Sequence, residues 1–164
     1  SGVNAGHTLA QYVTYSGTVA GALEGTIMGI RSIAISQHYS YEQSVRHVPW
    51  DVVETHGPAL LAKLITADMP ADTMLNVNFP SCSADEVLGV KVTEQGRIEH
   101  SLTMTKHVDG RGKPYYWLGF FRGEEHKNDK SDIQALHDKH VSVTPIKLDM
   151  TAREMTADLQ KLLL

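Results

Sequence analysis

Cysteine is almost absent from this sequence, since Cys82 is the only one among 164 residues. A single cysteine cannot form an internal disulfide, which favours a reducing compartment and a cytoplasmic protein. The alternative for Cys82 is a catalytic thiol, and it is the less favoured of the two.

Long apolar runs are also missing, because no run approaches the ~18 to 20 residues that a membrane-spanning helix needs. The N-terminus has no signal-peptide pattern, an observation that counts only if the protein naturally begins at Ser1. The net charge of −4 and the pI near 6.1 argue against binding a nucleic-acid polymer, which usually requires a basic surface. We therefore expect neither a membrane nor a nucleic acid as partner, while a small anionic ligand is still compatible.

The first half of the chain has the pattern of an α/β protein. Apolar residues make up 41% of the sequence, enough for the core of one compact domain. Residues 1–14 are predicted to be a loop, 17–29 a helix and 32–36 a buried strand. A second helix is predicted over 50–67, where Gly57-Pro58 either kinks it or divides it in two. Alternating strands and helices of this kind indicate an α/β fold with a parallel sheet.

The next strand is predicted over 74–79, and it contains an unusual pair of polar residues. Asn76 and Asn78 alternate with apolar residues, so both are expected on one face of the strand. Two asparagines on one face are uncommon in a fully buried strand. Pro80 ends the segment.

Residues 87–122 have the character of a long β-hairpin. Strand-like runs at 87–92 and 115–120 flank polar stretches and a turn at 109–114. A lone hairpin is marginally stable in water, so we expect this arm to pack on another subunit.

The C-terminal segments are predicted to return to the main domain. A charged loop over 123–130 leads to a short helix over 131–137, for which Asp132 is a candidate cap. A strand is predicted over 141–146. The last helix, 151–164, is expected to begin with Thr151 as its cap and Glu154 as the partner in a capping box.

The start of the first helix is a candidate anion site. The first turn of a helix has unpaired N–H groups and a partial positive charge. Ser16 and Thr18 add hydroxyl groups there, although either hydroxyl could simply cap the helix. Glycines recur at 17, 21, 25 and 29, and such a costly stripe indicates a helix packed very close to a sheet.

Asn4 is a candidate metal ligand, because an amide oxygen suits Mg²⁺ or Mn²⁺ and the flanking glycines let it point into a crevice. Taken alone, an asparagine between glycines is more often a turn residue. The nine histidines do not have zinc-site spacing and are interpreted as scattered surface residues. His7 is the exception that we keep as a possible active-site contact.

Several blocks of sequence, in order along almost the whole chain, closely resemble the survival protein E (SurE) family of metal-dependent nucleotidases. The blocks are Ser1-Gly2-Val3-Asn4-Ala5-Gly6, Val13-Thr14-Tyr15-Ser16-Gly17-Thr18-Val19, Glu24-Gly25, Leu75-Asn76-Val77-Asn78-Phe79-Pro80, Gly112 with Pro114-Tyr115-Tyr116-Trp117-Leu118-Gly119, Ser131-Asp132, and Val141-Ser142-Val143-Thr144-Pro145.

The resemblance implies a Rossmann-like catalytic domain that binds one Mg²⁺ or Mn²⁺ per subunit and hydrolyses nucleoside monophosphates. Asn4 matches the family's asparagine metal ligand, and Ser16, Gly17 and Thr18 match the loop that faces the substrate phosphate. The other metal ligands of the family, two adjacent aspartates and a serine, precede the Asn4 block. This implies that the first strands of the domain and the catalytic residues are expected upstream of Ser1.

Because the hairpin arm is expected to pack on another subunit, we expect a homodimer or homotetramer, and we divide the chain into three parts. These parts are the C-terminal half of the catalytic domain (1–86), the oligomerisation arm with its loop (87–130), and the returning strand with the last helix (131–164). Thr8 and Tyr12 depart from the family, which usually has asparagine and an acidic residue there. Because one metal ligand alone should support little activity, the alternative is a non-catalytic module that binds a nucleotide or phosphate or holds an oligomer together.

Overall fold

The computed structural model describes residues 1–125 and 128–164, with a five-stranded mixed sheet at its centre. In chain order the strands are β1 (Asn4–Ala5), β2 (Ile33–Gln37), β3 (Ser40–Glu42), β4 (Val45–His47), β5 (Thr73–Phe79), β6 (Gly89–Val92), β7 (Ile98–Val108), β8 (Pro114–Glu125) and β9 (His140–Lys147). The α-helices are α1 (Gly17–Ile27), α2 (Trp50–Leu64), α3 (Asp132–His137) and α4 (Arg153–Leu163). The order in the sheet is β1-β2-β5-β9-β6, and all neighbours are parallel except β5 and β9.

The strand β5 lies in the middle of this sheet, and all seven of its residues are buried. Leu75, Val77 and Phe79 point to the face covered by α2, where Val52 and Val53 join them in one apolar cluster. On the opposite face, a second cluster joins Met74 to Val19 and Ala22 of α1 and to Ala34 of β2. The period of two along a strand therefore places α1 and α2 on opposite sides of the sheet.

Asn76 and Asn78 share the α1 side of β5, as predicted, and both are fully buried. Both side chains bind the backbone of Thr8. Asn76 Nδ2 and Asn78 Nδ2 donate to the Thr8 carbonyl at 2.7 and 3.0 Å, and Asn78 Oδ1 accepts from the Thr8 N–H at 2.7 Å. The two amides thus replace the water that this loop backbone loses on burial.

Only part of the predicted loop over 1–14 is irregular, because it contains the short strand β1 and a 3₁₀ helix at Ala10–Tyr15. The glycine stripe of α1 is explained at two of its four positions. A Cβ added to Gly21 would lie 2.9 Å from Ser1 Oγ, and one added to Gly25 would overlap Ser32 Oγ. Gly17 and Gly29 have no such neighbour within 4 Å, so the close-packing prediction is wrong for them.

The second helix, α2, is one continuous helix with Pro58 inside it, so the two-helix alternative is wrong. It begins directly after Pro49 and ends at Leu64, three residues before the predicted end. No helix in the described part of the chain is both long enough and apolar enough to span a bilayer.

The predicted start of the hairpin arm at residue 87 is wrong, because β6 belongs to the central sheet. Its Val90 pairs with Val141 of β9, and that partner is far away in sequence. The arm consists of β7 and β8 alone, which pair antiparallel. Their paired residues run from Ile98 with Glu125 to Val108 with Pro114. Residues 123–125, predicted as loop, extend β8, while residues 126–127 of that predicted loop lie outside the described residues.

Both predicted C-terminal helix caps are wrong. Ser131, and not Asp132, caps α3, since Ser131 Oγ accepts from the Gln134 N–H at 3.1 Å. The cap position of α4 is Ala152, whose side chain cannot accept a hydrogen bond. Thr151 is instead tied to the preceding turn through its N–H, which donates to Asp149 Oδ1.

Asp132 is a fully buried carboxylate that joins three segments. Its Oδ2 accepts from the Ala10 N–H at 2.9 Å, and its Oδ1 accepts from the N–H groups of Gly96 at 2.8 Å and Ile133 at 2.9 Å. Burial raises the pKa of Asp132 above its ordinary value, and these backbone donors oppose the rise. Asp132 therefore fastens the 3₁₀ helix before α1 to α3 and to the start of the arm.

We predict that Asp132→Asn lowers the free energy of unfolding by about 1–3 kcal/mol. An amide keeps one acceptor oxygen but turns an NH₂ donor toward a backbone donor such as the Ala10 N–H. Urea unfolding followed by circular dichroism measures the change. Asp138→Asn, in the partly exposed ion pair with Lys91 just after α3, is the matched control and should change stability less. Equal losses in the two variants would contradict the anchoring role of Asp132.

Candidate active site

A cavity of about 840 Å³ lies where β1 ends and α1 begins. The carboxyl ends of parallel strands and the start of the following helix are the usual ligand-binding edge of an α/β sheet. The cavity is lined by Asn4, Ala5, Gly6, His7, Thr8, Tyr12, Tyr15, Ser16, Gly17, Thr18, Tyr39 and Arg46. The structure thus brings together the candidate metal ligand Asn4, the candidate phosphate-binding residues Ser16, Gly17 and Thr18, and His7.

Asn4 lies in β1, paired with Ser36 of β2, and not in a turn. Its side chain is part-buried, and its Nδ2 donates to the Gly6 carbonyl at 2.8 Å. This bond orients the amide, whose oxygen is then the atom available to a cation. The backbone before Asn4 packs tightly against β2, because a Cβ on Gly2 would overlap the Ile35 carbonyl.

The start of α1 forms the second wall of the cavity. Ser16 is the helix cap, as its alternative interpretation held, because its Oγ accepts from the Val19 N–H at 3.2 Å. The N–H groups of Gly17 and Thr18 come before the first N–H groups that α1 satisfies internally. Thr18 is part-buried and adds a hydroxyl to the same mouth. The arrangement offers donors and a partial positive charge to an anion.

Thr8 connects the two walls. Its hydroxyl accepts from Ser36 Oγ at 3.1 Å and lies 3.4 Å from Ser16 Oγ. Its backbone is held by Asn76 and Asn78 of β5. Thr8, where the family usually has asparagine, therefore connects β2 to the start of α1 through its hydroxyl group. Tyr12, the other departure, lines the cavity with its ring centroid 5.9 Å from that of His7.

His7 forms a pair with His38, a histidine that the sequence had placed among scattered surface residues. The two Nδ1 atoms are 2.8 Å apart, and the rings meet edge to face at 4.3 Å between centroids. One Nδ1 must donate and the other must accept, so this contact is made with at least one of the two rings neutral. His7 lines the cavity, and its pairing with His38 fixes the position of its ring.

Sequence reasoning missed Tyr39 and Arg46. Tyr39 lies between β2 and β3, and Arg46 lies in β4 of the β3–β4 hairpin. The Arg46 guanidinium lies 4.0 Å from the centre of the Tyr39 ring. The β3–β4 hairpin turns at Gln43 and Ser44, which have φ values of 49° and 67°. Tight hairpin turns of this type usually contain Asn or Gly, so the sequence lacked the ordinary signal.

The described lining of the cavity offers one side-chain oxygen that suits a hard divalent cation, that of the Asn4 amide. Among the side chains that the structure describes, no three His, Cys, Asp or Glu are grouped so that they could hold a metal ion. The buried carboxylate of Asp132 is already used by backbone N–H groups. Cys82 is not among the described residues that line the cavity, and burial together with the nearby Glu86 raises the pKa of its thiol. A raised pKa disfavours the thiolate that a catalytic cysteine needs.

The model of the family described as Survival protein SurE matches residues 1–101. The chain is 53% identical to the 5'-nucleotidase SurE of Brucella anthropi and 50% identical to that of Brucella canis, each over 159 residues. Each match covers 97% of this chain and 62% of the relative. The chain therefore spans about three fifths of the length of these relatives.

The crystal structure of the SurE protein from Aquifex aeolicus has the same fold. It superposes with a TM-score of 0.78 at 35% identity, over 100% of this chain and 64% of that one. This likeness confirms the predicted α/β, Rossmann-like fold class. Because the family model matches more than half of the residues, the chain belongs to the SurE family.

Proposed function

We propose that this chain supplies the phosphate-binding side of a metal-dependent nucleotidase that hydrolyses 5'- or 3'-nucleoside monophosphates. The observation that carries the proposal is the shared cavity, in which Asn4 faces the start of α1 at Ser16, Gly17 and Thr18. A single oxygen ligand beside a helix start with open N–H groups suits a phosphate that is bound through a metal ion. The relatives named as 5'-nucleotidases support the same reaction.

Asn4 would hold one Mg²⁺ or Mn²⁺ per subunit through its side-chain oxygen. When bound, such an ion polarises the phosphoryl group and lowers the pKa of a water ligand. The remaining ligands and the catalytic residues are proposed to come from residues that precede Ser1 in the complete protein. The Asn4 Nδ2 donates to the Gly6 carbonyl, which leaves the side-chain oxygen of Asn4 as the atom suited to bind the ion.

The start of α1 would bind and orient the phosphate. The Gly17 and Thr18 N–H groups and the Thr18 hydroxyl are donors to its oxygens, and the helix dipole favours their negative charge. Donors that are fixed before substrate arrives stabilise the charge that builds up during phosphoryl transfer. Here they are fixed because Ser16 caps α1 and Thr8 ties that cap to β2 and β5.

We further propose a cytoplasmic homodimer or homotetramer assembled through the arm and α4. The described part of the arm exposes apolar side chains such as Met104, Val108 and Trp117, and α4 exposes Leu159 and Leu162. Apolar surface of this kind on two projecting elements is typical of an interface.

A non-catalytic module that binds nucleotide or phosphate is the second candidate. It is favoured by the lack of any acidic side chain among the described residues that line the cavity. Metal-dependent turnover separates the two candidates.

We expect the complete protein to release phosphate from nucleoside monophosphates with Mn²⁺ and to lose that activity in EDTA. The physical reason is that one amide oxygen and a helix start cannot by themselves generate the attacking hydroxide. Phosphate release is measured with and without chelator, followed by re-addition of Mg²⁺ or Mn²⁺. Turnover that persists in EDTA, or no turnover under any condition, would overturn the proposed reaction.

Asn4→Ala should weaken Mn²⁺ binding roughly tenfold or more, since even outer-shell changes have effects of that size. Calorimetric titration of the complete protein measures the affinity, and thermal unfolding of the metal-free protein reports on the fold. Asn128→Ala, which removes an exposed asparagine outside the cavity, is the matched control. If Asn4→Ala leaves the metal titration unchanged, Asn4 is not a ligand.

Thr18→Val should lower kcat/KM roughly 100-fold by removing a hydroxyl donor while keeping the shape of the side chain. Its melting temperature should change little, because the cap of α1 is Ser16 and not Thr18. Thr14→Val is the control, since the Thr14 hydroxyl donates to the Gln11 carbonyl outside the cavity. Unchanged kinetics in Thr18→Val would leave the Thr18 hydroxyl without a role in phosphate binding.

A further inference from the structure

The cavity continues beyond the phosphate-binding side to a wall made by Tyr39 and Arg46. From the start of α1, Ser16 contacts Thr8, whose chain neighbour His7 has its ring centroid 6.3 Å from that of Tyr39. Tyr39 in turn lies under the Arg46 guanidinium. The cavity volume of about 840 Å³ is in the upper part of the usual range for small-molecule pockets, about 300–1,000 Å³. A phosphate and its metal ion would leave much of this space for the rest of a substrate.

This wall has the chemistry of a stacking platform. Tyr39 is part-buried, and its ring is fixed by edge contact with Tyr41 at 5.4 Å and by the guanidinium at 4.0 Å. Arg46 is exposed on its hairpin and lines the cavity, so a planar ligand can reach it. Nucleobases stack on tyrosine rings and on guanidinium planes.

Arg46 also lies close enough to the metal-binding end to suggest a different role. A Cβ built on Gly6 would be 3.5 Å from Tyr39 Cε1, 3.6 Å from an Arg46 Nη atom and 3.6 Å from Asn4 Nδ2. The guanidinium could therefore pair with a phosphate through its charge alone. Its contact with the face of Tyr39 instead favours stacking, because a side chain that acts only as a point charge does not need an aromatic support.

The remaining lining side chains indicate how selective such a platform would be. Tyr12, Tyr15 and His7 add aromatic surface, and no aspartate or glutamate among the described lining residues can pair with a base edge. Stacking is tolerant of base identity because every base presents a π face. We infer that Tyr39 and Arg46 bind the nucleobase of the substrate by stacking, with little discrimination between purine and pyrimidine. This inference rests on the proposed nucleotidase function.

The test compares substrates that differ only in the presence of a base. AMP and UMP carry a purine and a pyrimidine, and glycerol phosphate carries none. In the complete protein, Tyr39→Leu and Arg46→Ala should each raise KM for AMP and UMP roughly tenfold, the loss of about one stacking contact. The kcat values and all constants for glycerol phosphate should stay close to those of the unsubstituted protein.

Arg46→Lys separates stacking from charge. It keeps the positive charge but removes the planar guanidinium, so its KM values should resemble those of Arg46→Ala. Arg31→Ala is the matched control, because Arg31 is exposed and its Nη1 donates to the Ile65 carbonyl outside the cavity. Full recovery in Arg46→Lys, or an equal rise in KM for glycerol phosphate, would show phosphate pairing and overturn the inference.

Failure of the proposed function would be recognised separately, because the unsubstituted protein would then hydrolyse none of the three substrates. Adenosine and uridine binding by calorimetry tests the platform in that case, since neither nucleoside contains a phosphate. Weaker binding of both nucleosides by Tyr39→Leu supports the platform without any turnover. Equal binding by Tyr39→Leu and the unsubstituted protein overturns it.

Discussion

The backbone of Thr8 and the two asparagines that hold it decide where the side of the cavity formed by Asn4 and the start of α1 lies. Asn76 and Asn78 occupy the middle of the fully buried strand β5 and satisfy both the N–H and the carbonyl of Thr8. Ala10 lies two residues after Thr8 in the chain, and its N–H donates to the carboxylate of Asp132. Buried polar groups without a hydrogen-bond partner would destabilise the fold by several kcal/mol. The hydrogen bonds at Thr8 and Ala10 therefore fix the loop at two points.

These two anchors fix one side of the cavity and leave the other side to a lighter element. Ser16 and the start of α1 follow directly from the anchored loop, and Asn4 precedes it in a strand of the sheet. Arg46, by contrast, belongs to the β3–β4 hairpin, which pairs through only three residues on each strand. A two-stranded ribbon of this length buries little and tolerates changes of sequence. Asn4 and the start of α1 are thus held by buried hydrogen bonds, whereas Arg46 is held by a small two-stranded ribbon.

Sequence reasoning was reliable where a local pattern coincides with burial. The alternation through Asn76 and Asn78 predicted β5 and its polar face, and the helical spacing of apolar residues over 17–29 predicted α1. It failed where long-range pairing decides the outcome. The apolar run that contains β6 resembles a strand of the hairpin, because the sequence does not show that β6 pairs with the distant strand β9. Asp132 looked like a helix cap because the backbone N–H groups that donate to its carboxylate oxygens, those of Ala10 and Gly96, are distant in sequence. The β3–β4 hairpin was missed because its turn contains neither glycine nor asparagine.

The charges along the described part of the cavity bear on which groups would complete the proposed metal site. The helix start attracts anions, and the described lining contains no carboxylate to oppose it, although the chain carries a net charge of −4. A surface of this kind can hold a phosphate but cannot neutralise a divalent cation, since the Asn4 oxygen brings no formal charge. Carboxylates placed on the same wall would repel the phosphate that the helix start attracts. Carboxylates that would hold the proposed metal ion together with Asn4 would therefore be better placed on another wall than beside the start of α1.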